Sequence, residues 1–332
     1  MGGAHVKAAR VAGGRVTGAV QLPCPLWLGL DALPAALAEA QARLGPASLH
    51  AATMTGELAD VFPGRAEGVA GIAGALARAT APAPLRLYAG EAGFLGPDEA
   101  AARAGLVASA NWHATAALAG RFVPDALLVD VGSTTTDLVP IAAGRPASRG
   151  GSDAERLACG ELVYTGLVRT PVMALCGRAP FAGAWTPLAN ELFATAADIY
   201  RLLGELPEGA DQMASADGRE KTAEASRARL ARMVGRDPGD APPEAWRALA
   251  AWLAEAQMRQ VVDAAHLVLS RAGPTREAPV LGAGVGRHLV ARLAVRLGHP
   301  YQDLAALSPF ASSPGAADCA PAAAVALLAC PA

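Results

Sequence analysis

The sequence predicts an α/β protein built from two similar lobes. Short apolar segments alternate with longer segments of helical periodicity, which is the pattern of strands connected by helices. Residues 127–141 read as two strands joined by a tight turn of one glycine and several hydroxyl residues. A segment with the same spacing lies at the N-terminus. Two copies of one hairpin indicate an internal duplication.

The hairpin over residues 127–141 carries the strongest functional signal. Asp130 ends the first apolar run and Asp137 opens the second. Backbone N–H groups and hydroxyls gathered at a glycine turn form an anion site, and flanking acids hold a divalent cation that phosphate also binds. The residues predicted to bind phosphate are Gly132, Ser133, Thr134 and Thr135. We predict Asp130 and Asp137 as ligands of a metal ion, Mg²⁺, with Asp137 also a candidate catalytic group; alternatively, one of the two acids caps an ordinary hairpin.

Two common phosphate motifs are excluded. The chain has no G-x-x-x-x-G-K-[ST] sequence, and a strand rather than a helix follows the turn. The segment is therefore neither a P-loop nor a Rossmann turn.

A shift of 130 positions superimposes the N-terminus on the hairpin. Gly2 then matches Gly132, and the later turn residue Gly14 matches Gly144. The first copy is predicted to supply further phosphate contacts from Gly2, Gly3 and Lys7. Lys7 either contacts phosphate as a point charge or lies on the surface without such a contact. Since no apolar run precedes Gly2, we expect the natural chain to start upstream, with a strand ending in an acid.

Periodicity and turn residues predict the other elements, and we expect lobes over 1–120 and 121–332. The predicted strands cover 49–54, 85–88 and 278–281. The predicted helices cover 30–44, 68–78, 99–118, 187–206, 221–234, 244–270, 287–297 and 320–329.

Composition excludes several classes of protein. The chain has 28 basic and 30 acidic residues, so it lacks the basic surplus of a non-specific nucleic-acid binder. It has no apolar run of the roughly 18 residues that span a membrane. Five widely spaced cysteines without C-x-x-C favour reduced thiols in the cytoplasm over disulfides or structural zinc. A homo-oligomer is compatible with this composition.

Further candidates come from single positions. Glu57 follows a strand and a Thr-Gly turn, so it is a general base, an amine anchor or a cap at the strand's carboxyl end. His113 is either a catalytic base or a hydrogen-bonded core histidine. The pocket of a second substrate is assigned to Glu161, Thr165 and Arg169.

A glycine-rich element follows the strand over 278–281. It either brings the backbone close to a nucleotide or another ligand, or allows a helix to pack tightly on a strand. Its glycines are Gly282, Gly284 and Gly286.

The two glycine-turn hairpins and this later element resemble the actin, sugar kinase and Hsp70 superfamily. The segment 130–137 is most similar to its hydantoinase/oxoprolinase branch. The segments 2–7, 54–58, 111–115 and 282–286 resemble members linked to tetrahydromethanopterin and methanofuran. The resemblance implies a two-lobed actin-like ATPase (ribonuclease H-like) fold with duplicated phosphate hairpins, here with the first strand missing.

The similarity to methanofuran synthases implies a transferase with small-molecule substrates. It would join a furan-methyl diphosphate to the phenol of glutamyl-tyramine, form an aryl ether and expel pyrophosphate. Anion-binding turns and a divalent cation stabilise such a leaving group, and a base takes the phenol proton. Two alternatives stay open: an ATP-dependent kinase or hydantoinase-like hydrolase, with adenosine near Gly282, and a non-catalytic scaffold. The sequence leaves both possibilities open for ATP, as a cofactor or without a role.

The sequence also suggests how Asp137 behaves on substitution. If Asp137 is a solvent-facing turn acid, it contributes little to packing. Asp137→Asn is then expected to lower turnover far more than stability.

Overall fold

The computed structural model describes residues 1–271 and 274–330. Its strands are β1 (His5–Ala12), β2 (Arg15–Pro23), β3 (His50–Ala52), β4 (Leu85–Tyr88), β5 (Phe94–Leu95), β6 (Ala126–Val131), β7 (Thr136–Ala142), β8 (Arg145–Pro146), β9 (Leu162–Val163), β10 (Arg178–Phe181), β11 (Ala184–Pro187), β12 (Val280–Ala283) and β13 (Tyr301–Asp303). Its helices are α1 (Ala32–Leu44), α2 (Arg65–Thr80), α3 (Pro97–Ala102), α4 (Ala104–Val107), α5 (Asn111–Gly120), α6 (Asp153–Cys159), α7 (Ala196–Leu203), α8 (Ala223–Met233), α9 (Pro243–Leu269), α10 (Arg287–Leu297) and α11 (Ala320–Ala329).

The largest sheet has the order β13–β12–β6–β7–β8, with β9 also beside β7. Strand β6 is antiparallel to β7 and parallel to β12, which is in turn parallel to β13. Every residue of β6 is buried, because helices cover both faces, and its run of apolar residues follows from this burial. A hairpin on one side and crossover strands on the other give the predicted actin-like order, so the α/β fold class is confirmed.

The strands of the first lobe, β1 to β5, form two separate sheets. One is the β1–β2 hairpin and the other has the order β3–β4–β5. Within the described residues β1 and β3 do not pair with each other, and both line one cavity together with α11. Met1 reaches this gap: its amine donates to Thr53 O at 2.8 Å, and Thr55 N donates to Met1 O at 2.7 Å. Met1 thus pairs beside β3 as a residue of a parallel strand would.

The predicted duplication is visible in the backbone. Gly2 N donates to His5 O, and Gly132 N donates to Thr135 O, each at 2.9 Å. Strands β1 and β7 end at corresponding positions, and both following turns have two residues of positive φ: 55° and 70° at 13–14, 48° and 76° at 143–144. The offset of 130 therefore holds through the turn, the strand and the next turn.

Two helices pack on the sheet of the opposite lobe. Helix α5 contacts β6, β7 and β8, whereas α11 contacts β1, β2 and β3; the two helices also contact each other. One apolar cluster accordingly joins residues of both lobes, from Val16 in β2 to Leu128 in β6. The division at 120/121 stays a prediction, because this exchange crosses it.

Two predicted helices differ in extent. The segment 99–118 is divided among α3, α4 and α5. Arg103, with φ −119° and ψ 40°, separates α3 from α4, and Ser109, with a φ of +53° that no α-helix contains, lies between α4 and α5.

In 187–206 only α7 is helical, and residues 188–195 are irregular. The unpredicted hairpin β10–β11 lies just before them, and its turn has positive φ at Ala182 and Gly183. The alanines in 187–206 favour a helix by propensity, but in the part of the segment before α7 tertiary contacts override this helix preference.

The composition led to predictions about disulfide bonds and about membrane-spanning segments. All five cysteines are free thiols. Among the helices of 1–271 and 274–330, none combines the length and apolar character needed to cross a membrane.

The gap between β1 and β3 generates a prediction. A chain with Ala-Leu-Leu-Val-Asp, the sequence of 126–130, placed ahead of Met1 is expected to melt about 5 °C higher. The added strand would bury apolar side chains, pair both open edges and convert a buried amine, whose pKa burial lowers to about 6, into a peptide N–H. Differential scanning fluorimetry measures the shift.

The matched control places Gly-Ser-Gly-Ser-Gly ahead of Met1. This extension has the same length but no side chains to bury. Equal melting temperatures for the two extended chains would show that the gap does not accept a strand.

Candidate functional site

Both glycine turns line one cavity of about 1120 Å³ between the lobes. The carbonyls of Gly132 and Ser133 accept hydrogen bonds from the N–H groups of 167–169. In the described part of the chain, the N–H groups of 133–135 have no acceptor. The turn is thus fixed from outside and leaves its donors to a ligand. The predicted phosphate residues that line this cavity are Gly2, Gly3, Lys7, Gly132, Ser133, Thr134 and Thr135.

The glycines of the later element lie against strands instead. A Cβ on Gly284 would collide with the Asp130 carboxylate, and one on Gly286 would collide with Val131. A Cβ on Gly282 would lie 2.9 Å from the Tyr301 ring. None of the three glycines lines the cavity. Tight packing on β6 explains them, and their contact with a nucleotide stays a prediction.

Asp130 lies at the end of β6, opposite Asp137 of β7. Burial raises the pKa of Asp130 to about 7; the Lys7 ammonium opposes this rise, and Asp137 and Asp318 add to it. Lys7 is held in place by Asp318, whose carbonyl oxygen accepts from Nζ at 2.6 Å. A cation near Asp130 would favour its ionised form.

Asp137 is buried and ion-paired, which corrects the expectation of a solvent-facing acid. Its Oδ1 accepts from Arg156 at 2.7 Å. The guanidinium of Arg156 also donates to Glu161 O at 2.8 Å and lies 4.2 Å from the centre of the Trp112 ring. Asp137 therefore contributes to the packing of α6 and α5 on β7.

The acids of the cavity fit a magnesium ion that binds together with phosphate. Within the described residues, no group of three or more His, Cys, Asp or Glu side chains converges as a metal cage. Mg²⁺ is commonly held by one or two carboxylates plus substrate phosphates. Asp130 is the better candidate, because Asp137 is already paired with Arg156. When bound, the ion would neutralise charge on a phosphate group.

The two candidate bases, Glu57 and His113, do not line the cavity. Glu57 is buried, its Oε1 lies 2.8 Å from Ser109 Oγ, and burial raises the pKa of Glu57. His113 Nδ1 lies 2.9 Å from the Tyr88 hydroxyl, and burial lowers the pKa of His113. The position of His113 agrees with a hydrogen-bonded core residue, and both catalytic roles stay predictions.

Of the three residues assigned to a second substrate, only Arg169 lines the cavity. Its guanidinium lies 4.8 Å from the centre of the Trp27 ring. The Glu161 carboxylate is buried and accepts from Arg271 at 2.8 Å. The Thr165 hydroxyl is buried and accepts from the Gln257 amide at 2.7 Å. Glu161 and Thr165 thus stabilise the segment that leads to Arg169.

Among the cavity residues that sequence reasoning missed, Ser109, Asp153 and Arg156 bear on the chemistry. A local signal existed for Asp153, since Ser152 and Glu155 form a capping box that starts α6. No local pattern marks Ser109 or Arg156, because their partners are distant in sequence.

Residues 48–324 match the model of the hydantoinase/oxoprolinase family. The chain belongs to this family. The match covers most of both lobes, including the second hairpin and the later glycine element, so the family resemblance of the sequence is confirmed.

Two curated relatives share one name, (4-{4-[2-(gamma-L-glutamylamino)ethyl]phenoxymethyl}furan-2-yl)methanamine synthase. The protein of Methanocaldococcus jannaschii is 36% identical over 188 residues, which are 56% of this chain and 56% of that protein. The protein of Methanococcus vannielii is 36% identical over 111 residues, 33% of this chain and 50% of that protein. The chain spans about half the length of the curated relatives it matches.

Two solved structures are similar at low sequence identity. Component A of (R)-2-hydroxyglutaryl-CoA dehydratase from Acidaminococcus fermentans has a TM-score of 0.48 and 12% identity, over 98% of this chain and 94% of that chain. Nucleotide-free acetone carboxylase has a TM-score of 0.49 and 13% identity, over 95% of this chain and 51% of that chain. The fold assignment depends on the sheet order described above.

Asp130 should make stability depend on pH. Folding raises its pKa from 3.8 to about 7, so the folded state retains this proton longer than the unfolded chain. The free energy of unfolding then falls as the pH rises from about 4 to 7, and the loss is complete above 7. Asp130→Asn is expected to unfold at higher denaturant concentration than the wild type at pH 8, but not at pH 4. Urea titrations at both pH values test this.

The ion pair of Asp137 predicts that Asp137→Asn costs stability. It leaves Arg156 buried without its anion, and about 3–5 kcal/mol of unfolding free energy should be lost. The double variant Asp137→Asn/Arg156→Met should recover part of that loss. Chemical denaturation in a double-mutant cycle measures the coupling.

The control is Arg259→Gln, which removes an exposed pair with Asp263 on α9. No measurable loss of stability is expected from this substitution. A wild-type unfolding midpoint for Asp137→Asn would contradict the role given to the pair.

Proposed function

We propose that this chain transfers a furan-methyl group from its diphosphate to the phenol oxygen of glutamyl-tyramine, releasing pyrophosphate. The observation that carries the proposal is that glycine turns of both lobes line one cavity and keep unpaired N–H donors there. The name of the curated relatives, which contains a phenoxymethyl-furan ether, supports this choice of substrates.

The chemistry follows from leaving-group stabilisation. The bond between the furfuryl carbon and the diphosphate oxygen breaks, with its electron pair going to the diphosphate. The same carbon then bonds to the phenol oxygen, and the phenol proton passes to a base. Fixed N–H donors of 133–135 and the Lys7 ammonium would stabilise the charge that develops on the diphosphate.

Arg169 is suited to the space between the substrates. Its guanidinium is held over the Trp27 ring, and the backbone N–H of Arg169 donates to Ser133 O at 2.8 Å. Burial lowers the pKa of Arg169, yet guanidinium groups keep their proton at neutral pH. It would contact either the diphosphate or the glutamyl carboxylate.

The ATP-dependent alternative has less support. It requires adenosine contacts near 282–286, where the glycines are closed against Asp130, Val131 and Tyr301. Mg-ATP is therefore expected to leave the melting temperature unchanged, whereas the furan-methyl diphosphate with Mg²⁺ should raise it. A thermal shift with Mg-ATP alone would favour the kinase or hydrolase.

A charge substitution at the first turn tests the diphosphate site. A Cβ at Gly3 has nothing within 4 Å, and its φ is not in the left-handed region. Gly3→Asp would fit but place an anion beside the diphosphate. At a separation of ~5 Å and an effective dielectric of ~20, the repulsion of about 3.3 kcal/mol per unit charge weakens binding about 250-fold. Isothermal titration with pyrophosphate and Mg²⁺ measures the affinity, and mass spectrometry follows product formation without ATP.

Gly3→Asn is the matched control, because asparagine has the size of aspartate without its charge. It should keep pyrophosphate affinity within a few-fold of the wild type. Equal loss in both variants would mean that steric effects, not charge, explain the result. Absence of a coupled product in wild type, with pyrophosphate bound, would refute the transferase assignment.

A further inference from the structure

Ser109 has an unusual backbone conformation. Its φ of +53° lies in the left-handed region, which is unfavourable for a residue with a side chain. Ala143 and Ala182 also have positive φ, but each precedes a glycine in a hairpin turn that requires it. Ser109 connects α4 to α5 as the third residue of a type II turn, in which Ala108 has φ −57° and ψ 128° and Ala110 N donates to Val107 O at 3.4 Å. Such a turn favours glycine at this position, so the serine side chain is present there at a conformational cost.

The Ser109 hydroxyl lies between two carboxylates. Its Oγ is 2.8 Å from Glu57 Oε1 and 3.1 Å from Asp153 Oδ2. A hydroxyl has one proton and can donate to only one of them. Both contacts become hydrogen bonds when the other carboxyl group carries a proton and donates it to Oγ.

The surroundings decide which carboxyl group is protonated. Asp153 is paired with Arg65 at 3.0 Å and begins helix α6, where a negative charge is favoured. Glu57 is buried, and its Oε2 has no partner among the described residues. The charged groups that act on Glu57 are Asp153, Arg65 and the Met1 amine, and burial outweighs them in raising the pKa of Glu57. These surroundings favour the arrangement in which the Glu57 carboxyl donates to Ser109 and Ser109 donates to Asp153.

Asp153 lines the cavity, and only one of its two carboxylate oxygens is engaged by the residues that the structure describes. Ser109 and Arg65 both bind its Oδ2. Its Oδ1 has no hydrogen bond from any residue that the structure describes, and Asp153 lines the cavity whereas Glu57 does not. One oxygen is thus fixed and the other is left for a ligand.

We propose that Asp153 Oδ1 accepts the proton of the attacking hydroxyl group, and that Ser109 and Glu57 are positioning residues that orient Asp153. The inference rests on the proposed transfer reaction. In this step the oxygen–hydrogen bond of the phenol breaks, its electron pair stays on the phenol oxygen, and the proton bonds to Oδ1. Asp153 becomes neutral and later releases the proton to water.

Three substitutions separate these roles. Asp153→Asn removes the acceptor and should lower kcat at least 100-fold. Glu57→Gln keeps a donor towards Ser109, so kcat should fall less than 10-fold. Ser109→Gly removes the hydroxyl, should lower kcat about 10- to 100-fold with an unchanged KM for the diphosphate, and should shift the acidic limb of the pH–rate profile. A Glu57→Gln loss as large as that of Asp153→Asn would overturn the assignment.

Ser109→Gly also relieves the unfavourable φ, so its melting temperature should equal or exceed that of the wild type. Ala143→Gly is the matched control: it relieves a similar φ in the β7–β8 turn and should keep the wild-type kcat. If Ser109→Gly keeps wild-type kcat and pH profile, the positioning role is wrong.

An infrared difference spectrum tests the arrangement without turnover. Wild type minus Glu57→Gln at pH 7 should contain the carbonyl stretch of a protonated carboxyl group, displaced when Ser109→Gly is introduced. Absence of that band overturns the inference even if the enzyme is active. If no coupled product forms while the band is present, the transfer reaction fails and the proton arrangement stands.

Discussion

The buried guanidinium of Arg156 fixes the geometry on which the site depends. It joins Asp137 of β7, the carbonyl of Glu161 and the ring of Trp112 in α5. Three parts of the chain are thereby held at one charged group that is almost wholly removed from solvent. Because Arg156 lies in the first turns of α6, it also sets the direction in which the start of that helix faces the cavity.

Glycines provide the complementary constraint around the second hairpin. A Cβ on Gly166 would lie 2.6 Å from Thr134 N, and one on Gly284 would collide with the Asp130 carboxylate. The turn and the end of β6 are thus enclosed by backbone on two sides. Such close packing leaves the turn little freedom to rearrange, so its donors are oriented before a ligand arrives.

Much of the fold can be predicted from short-range patterns in this sequence. The hairpin over 127–141, the offset between its two copies and the bounds of α10 all follow from short-range patterns, and the structure contains each of them. The placement of the Ser109 hydroxyl between two carboxylates does not, because these lie 52 and 44 residues away in the sequence. The burial of Asp137 was missed for the same reason: its partner belongs to a helix that local spacing cannot orient. Turn residues that bind anions can be recognised locally, whereas proton donors and acceptors assembled across lobes cannot.

The exchange of α5 and α11 between the lobes has a consequence for synthesis. Strands β1 and β2 leave the ribosome well before α11, the helix that covers them. Their apolar face stays uncovered until α11 has been synthesised. The first lobe is therefore expected to depend on chaperones longer than its position in the chain suggests, and to complete its core after the second.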